Sequence, residues 1–131
     1  MANEATLIYQ FFPSIDFTCA DGTGIEKGTL VKLADPMTVA ATSADNDLFI
    51  GITTDEKIAN DGRTKVPVCI AGIAKMKDSG SGVTVGTDVV VKGANTIGTY
   101  TTLDDEKGYV VGKTLETASA SDTLLVLFGL R

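Results

Sequence analysis

The chain has 131 residues, 44% hydrophobic and 21% charged, which suits one domain or two very small halves sharing a core and is too apolar for a disordered chain. Its formal net charge of −6, with Lys and Arg scattered singly, argues against nucleic acid and against anionic membranes as partners. Fourteen Gly against three Pro, with abundant Thr and Val, favour short strands and tight turns over helices.

In chain order, the opening MANEATLIYQFF lacks the basic start and continuous apolar core of a signal peptide, so synthesis in the cytoplasm is expected. Leu7 to Pro13 holds three of the eight aromatic residues. As a strand it would point Leu7, Tyr9 and Phe11 to one side and Ile8 and Phe12 to the other. Two apolar faces call for burial on both, as an ordinary first strand or as an arm held between the core and a partner. Period-2 alternation and β-branched runs then predict strands at about 6–12, 14–19, 29–34, 37–42, 48–53, 65–70, 73–77, 88–92, 97–102, 109–116 and 122–130. Thr54–Gly62 reads as a loop. Pro67 lacks an N–H, which predicts that its strand lies at an edge or begins nearby. The longest apolar run, LLVLFGL near the C-terminus, is far shorter than the roughly 20 residues that span a bilayer as a helix.

An internal repeat organises these strands. GTLVK (28–32), FIGIT (49–53) and VCIAGI (68–73) recur as GTDVVVK (86–92), VVGKT (110–114) and LVLFGL (125–130). The glycines pair as Gly28 with Gly86, Gly51 with Gly112, and Gly72 with Gly129, at offsets of 58, 61 and 57 residues. Gly28 and Gly86 precede apolar strands, where a turn often needs positive φ. Gly51 and Gly112 lie inside apolar runs, where a missing side chain permits a bulge, a bend or close backbone approach. The expected fold is all-β: a small barrel or sandwich built as two pseudo-repeated units, about 25–75 and 83–131, closing against each other. Residues 1–13 form an N-terminal arm or first strand on a single β domain, 14–131.

Little here points to chemistry. The chain has no His, which removes Ser-His-Asp, Cys-His and His-containing metal arrangements. Cys19 and Cys69 read as small apolar core residues, with a disulfide left open. Asp45–Asn46–Asp47 and Asp104–Asp105–Glu106 lack the alternating spacing of a calcium loop and read as turn residues. KDSGSGVTVG has neither the Gly-Lys-Ser/Thr ending of a phosphate-binding loop nor a following helix. No catalytic residue, metal or cofactor is expected, and surface recognition remains.

The segments IDFTCADGTGIEKGTLVKL (15–33), FIGIT (49–53), KVPVCIAGI (65–73), GVTVGTDVVVK (82–92) and GYVVGKTLETASASDTLLVLFGL (108–130) together resemble the small capsid decoration, or cement, proteins of tailed phages. The resemblance implies a structural virion protein on the outer capsid surface that stabilises the mature head by bridging neighbouring capsomers. Its partner would be the major capsid protein, and it would act as a homo-oligomer, a trimer by preference with a dimer as alternative. The aromatic segment is less typical of the family, and Leu7, Ile8, Tyr9, Phe11 and Phe12 are the candidate contacts with capsid or oligomer. A receptor- or carbohydrate-binding β module of a phage fibre or surface structure is the alternative, with Tyr100 and Tyr109 as its platform.

Overall fold

Eleven strands run through the computed structural model, which describes residues 4–99 and 109–129 and has no helix among them. They are β1 Thr6–Gln10, β2 Ile15–Thr18, β3 Leu30–Asp35, β4 Thr38–Ala41, β5 Phe49–Thr53, β6 Lys65–Cys69, β7 Gly72–Asp78, β8 Asp88–Val91, β9 Thr96–Thr99, β10 Val110–Thr114 and β11 Thr123–Phe128. Each falls on a segment where alternation or a β-branched run predicts a strand. The expected continuation to residue 102 and the acidic run 104–106 lie outside the described residues.

The fold is all-β and built of two repeated units with an added N-terminal strand, as expected, and each unit closes into its own five-stranded barrel rather than against the other. In the first barrel β2 pairs antiparallel with β6 and parallel with β4, and β3 lies between β4 and β5. In the second, β7 pairs antiparallel with β11 and parallel with β9, and β8 lies between β9 and β10. Each barrel is sealed where its first strand meets its third, Thr18 against Thr38 and Lys77 against Thr96. A parallel contact between strands distant in sequence leaves no local pattern, so it could not be read from spacing.

The repeat reaches individual hydrogen bonds. Gly28 and Gly86 have φ of +83° and +82°, and their N–H groups donate to the carbonyls of Thr53 and Thr114 at 3.0 and 2.9 Å. The Thr53 hydroxyl accepts from the Thr29 N–H and donates to the Glu26 carbonyl. Sixty-one residues on, the Thr114 hydroxyl accepts from the Thr87 N–H and donates to the Thr84 carbonyl. Both β5 and β10 carry a bulge beside their glycine. A Cβ on Gly51 would stand 2.3 Å from the Cys69 carbonyl oxygen, and one on Gly112 2.0 Å from that of Leu127, so the glycines permit both the bulge and the close approach. The third glycine pair is not equivalent: Gly72 opens β7, the first strand of the second barrel, whereas Gly129 follows β11, the last.

Pro67 lies two residues from the start of its strand, one of the two placements expected, but that strand is not an edge. It sits mid-strand in β6, between β2 and β5, in a closed barrel with no edge there. Its carbonyl accepts from the Thr54 N–H at 3.0 Å, one residue past the end of β5. N–H and C=O of one strand residue point the same way, so the missing donor falls where the ladder has already ended.

The barrels share a core. Leu30, Ile52 and Cys69 of the first cluster with Met76, Val89, Ile97, Val126 and Phe128 of the second, and Phe49 meets Phe128 edge-on at 5.9 Å. The buried Asn95, at φ +59° in the β8–β9 turn, accepts from the Leu30 N–H through its side chain and donates its own N–H to the Thr42 hydroxyl. Cys19, in the separate core of the first barrel, and Cys69 are both buried free thiols, and burial raises the pKa of each. They stay protonated and poorly nucleophilic, as core residues do.

Candidate interaction surfaces

The N-terminal segment lies along the second barrel although it leads into the first. Ala5 is buried and its N–H donates to the Gly28 carbonyl at 2.8 Å, fixing the segment to the first barrel. β1 then pairs antiparallel with β7, and the Phe11 N–H extends the ladder to the Ala71 carbonyl at 3.2 Å. Gly72 is what admits it, since a Cβ there would stand 2.2 Å from the Tyr9 carbonyl oxygen. At its end, Gln10 donates to the Ser14 hydroxyl, which pairs at 2.9 Å with Thr54.

The expected alternation along this segment does not survive. The register slips between Leu7 and Tyr9, leaving Ile8 as the extra residue of a bulge. Leu7 packs half-buried against the shared core. Ile8, Tyr9 (62% exposed), Phe11, Phe12 (52% exposed) and, just beyond, Ile15 are all exposed. The structure thus separates Leu7 from the other four candidates and adds Ile15, whose exposure was not evident in its alternating strand. Covering one such half-exposed aromatic ring would contribute roughly 2 kcal/mol, so the strip has the means of an interface.

Elsewhere the polar clusters are occupied with holding loops. Asp47 accepts from the N–H groups of Ser43 and Ala44 at 2.8 and 3.0 Å and pairs with Lys32 at 3.4 Å. Burial alone would raise its pKa, but these bonds outweigh it and hold the carboxyl below its ordinary value. Asp45–Asn46–Asp47 is therefore a turn, and no group of three acidic or thiol side chains fit for a metal occurs among the described residues. Tyr109 is half-buried, and Tyr100 lies outside the described residues.

Lys57 escaped sequence reading altogether. In the segment Thr54–Gly62, expected to be a loop, it is 1% exposed. Its ammonium donates to the Asp61 and Asp21 carboxylates at 2.7 and 3.0 Å and to the carbonyls of Asp21 and Ile58. Desolvation pulls its pKa down, and the hydrogen bonds to Asp61 and Asp21 more than reverse that, leaving it above the ordinary lysine value. The same contact with Lys57, then the Arg63 N–H, lowers the pKa of Asp61. The bridge Ile25–Lys57 has the counterpart Val83–Ala118 in the second barrel, where the ammonium is replaced by a methyl. Only that comparison, an uncharged Ala in the repeat, could have singled Lys57 out.

A similar fold is found in the crystal structure of the head fiber gp8.5 N base in bacteriophage phi29, with a TM-score of 0.58 at 14% identity, covering 88% of this chain and 93% of that one. At that identity the likeness speaks for the fold. No curated protein matches the sequence. The pattern that defines the phage cement protein family matches residues 9–130, both barrels and the last five residues of the arm, and the chain belongs to that family of phage capsid structural proteins.

Proposed function

We propose that the protein binds the outer surface of the mature phage head and stabilises it by bridging neighbouring capsomers, through contacts that include the N-terminal strip. The observation that carries this reading is the run Ile8, Tyr9, Phe11 and Phe12, exposed in one stretch along β1 and the two residues that follow it, a segment fixed at both ends. Large aromatic side chains with few rotors, held on a rigid edge, are suited to anchor an interface at small entropic cost. A homo-oligomer, a trimer by preference or a dimer, would touch several major capsid subunits at once and gain from effective concentration even if each contact is weak. Binding only the expanded lattice would stabilise that state by mass action. No catalytic step is needed, and the buried protonated thiols offer none.

The test is co-sedimentation with mature and immature capsids, with the oligomer mass measured in parallel. Deleting the whole arm would also strip Ala5 and Leu7 from the core, so the variant is Tyr9→Ser with Phe12→Ser. It is expected to fold and melt like the parent and to lose capsid occupancy roughly a hundredfold. Full occupancy of mature capsids by this variant would refute the role of the strip.

A further inference from the structure

Strand register assembles one outer face on the second barrel. Along β7, Ala74 and Met76 are buried while Ile73, Lys75 and Lys77 point outward, and along β11 Leu124 and Val126 are buried while Leu125 and Leu127 point outward. Lys113, exposed between the buried Gly112 and Thr114, stands opposite Leu127, and Leu127 stands opposite Ile73. Leu125 stands opposite Lys75 in the neighbouring row. Half-buried aliphatic side chains are thus rimmed by three lysines, and the ion pairs of the described residues engage Lys32, Lys57 and Arg63 instead. Two carboxylates border the face: Asp88, opposite Lys113, is buried, and Glu116 accepts from the Leu125 N–H at 2.8 Å.

The first barrel shows what this face does in the repeated unit. Lys113 follows Gly112 and pairs with Leu127 as Ile52 follows Gly51 and pairs with Cys69. Ile52 and Cys69 are buried in the core shared with the second barrel. Beside them docks the β8–β9 turn, where the Asn95 side chain accepts from the N–H of Leu30, the ladder partner of Ile52. The closures at Thr38 and Thr96 match the two turns, so the counterpart of Asn95 is Met37. Both have positive φ, +59° and +50°. Met37 is 56% exposed, and Asp35, two residues earlier, is exposed as well.

We propose that the outer face of the second barrel binds the β3–β4 turn of a second copy, repeating between chains the contact that joins the barrels within one. Charge singles out this occupant. Residues 14–71 carry nine carboxylates against five basic side chains, so the first barrel of another copy brings the sign opposite to the lysine rim. Stacking the face on its own copy about a twofold would instead set lysines against lysines. Met37, unbranched and adaptable, suits the surface of Ile73, Leu125 and Leu127, while Asp35 meets the rim. A contact between two different surfaces is heterologous, and head-to-tail copies close into a ring, which favours the trimer over the dimer. The inference rests on the homo-oligomer of the function proposed above and names the surfaces that build it.

The test reads the mass of the free protein by analytical ultracentrifugation, without capsids. Lys75→Glu with Lys113→Glu is expected to raise the dissociation constant of the oligomer roughly a hundredfold and to leave melting unchanged, both positions being exposed. Asp35→Lys should weaken assembly in the same direction. Combined with Lys113→Glu in one chain it should recover most of the loss, because the exchanged pair attracts again, whereas damage to the fold would not be recovered. A photo-crosslinking benzophenone side chain at position 113 is expected to capture the β3–β4 turn of another copy. Absence of recovery, a crosslink to β7 or β11 of another copy, or a monomeric unaltered protein would overturn the inference. If the unaltered protein occupies capsids as a monomer, this contact falls and the capsid reading keeps its N-terminal strip. If it assembles as expected but does not sediment with capsids, the capsid reading falls and the contact stands.

Discussion

The two barrels share a strand plan, their bulges and their threonine bonds, yet they tie their loop ends with charges of opposite sign. In the first, the Lys57 ammonium gathers Asp21, Asp61 and two carbonyls, and Asp21 also accepts from the Gly62 N–H at 2.9 Å. In the second, the buried Asp78 carboxylate accepts from the N–H groups of Gly80, Gly82 and Ser121 at 3.1, 2.7 and 3.2 Å. Lys57 has Ala118 as its counterpart, and Asp78 has Cys19, as the registers of β2 with β4 and β7 with β9 show. Duplication kept what the closed backbone requires and left free how the exposed ends are sewn. A cation joins side chains and carbonyls, whereas an anion gathers N–H groups, so each solution needed different loop residues around it.

The most damaging change should be one that strikes the shared framework. Gly112→Ala and Gly51→Ala each force a Cβ into a carbonyl oxygen at 2.0 or 2.3 Å. Each is expected to cost about 3 kcal/mol or more in denaturant unfolding, with similar losses in the two barrels. A loss confined to one of them would break the equivalence.

Smaller effects should follow from the ties, and they should be local. Asp78→Ala leaves three N–H groups without their acceptor and should destabilise by about 2–3 kcal/mol, with faster amide exchange at Gly80, Gly82 and Ser121. Lys57→Ala copies the second barrel and should speed exchange at Asn60 and Gly62 while leaving Gly82 protected. Exchange rising equally at both ends would mean that the ties are not independent.

The smallest expected effect depends on pH and belongs to the first barrel's tie. Asp61 has a lowered pKa, so its contribution is present above the ordinary 3.8 and is lost as pH falls through the lower folded value. Lys57 has a raised pKa, so its contribution is complete below the ordinary 10.5 and is lost as pH rises through the higher folded value. The gap in melting temperature between the parent and Lys57→Ala should therefore be widest between these limits and shrink toward either extreme. A gap independent of pH would show that Lys57 acts by packing alone.

The sequence by itself determined the positions of the strands, since alternation and β-branched runs are local signals. It determined the repeat through Gly28, Gly86, Gly51 and Gly112, because positive φ and close approach admit little else. It also marked the N-terminal segment as apolar on both faces. Tertiary structure alone decided the rest. The parallel contacts of Thr18 with Thr38 and Lys77 with Thr96 made two barrels of what read as one closure. A bulge at Ile8 decided which N-terminal side chains meet solvent, by undoing an alternation that has meaning only while the register holds. The folding of Asp21 and Asp61 around Lys57 buried a charge that composition places outside, because a lysine is buried only where partners from elsewhere in the chain surround it.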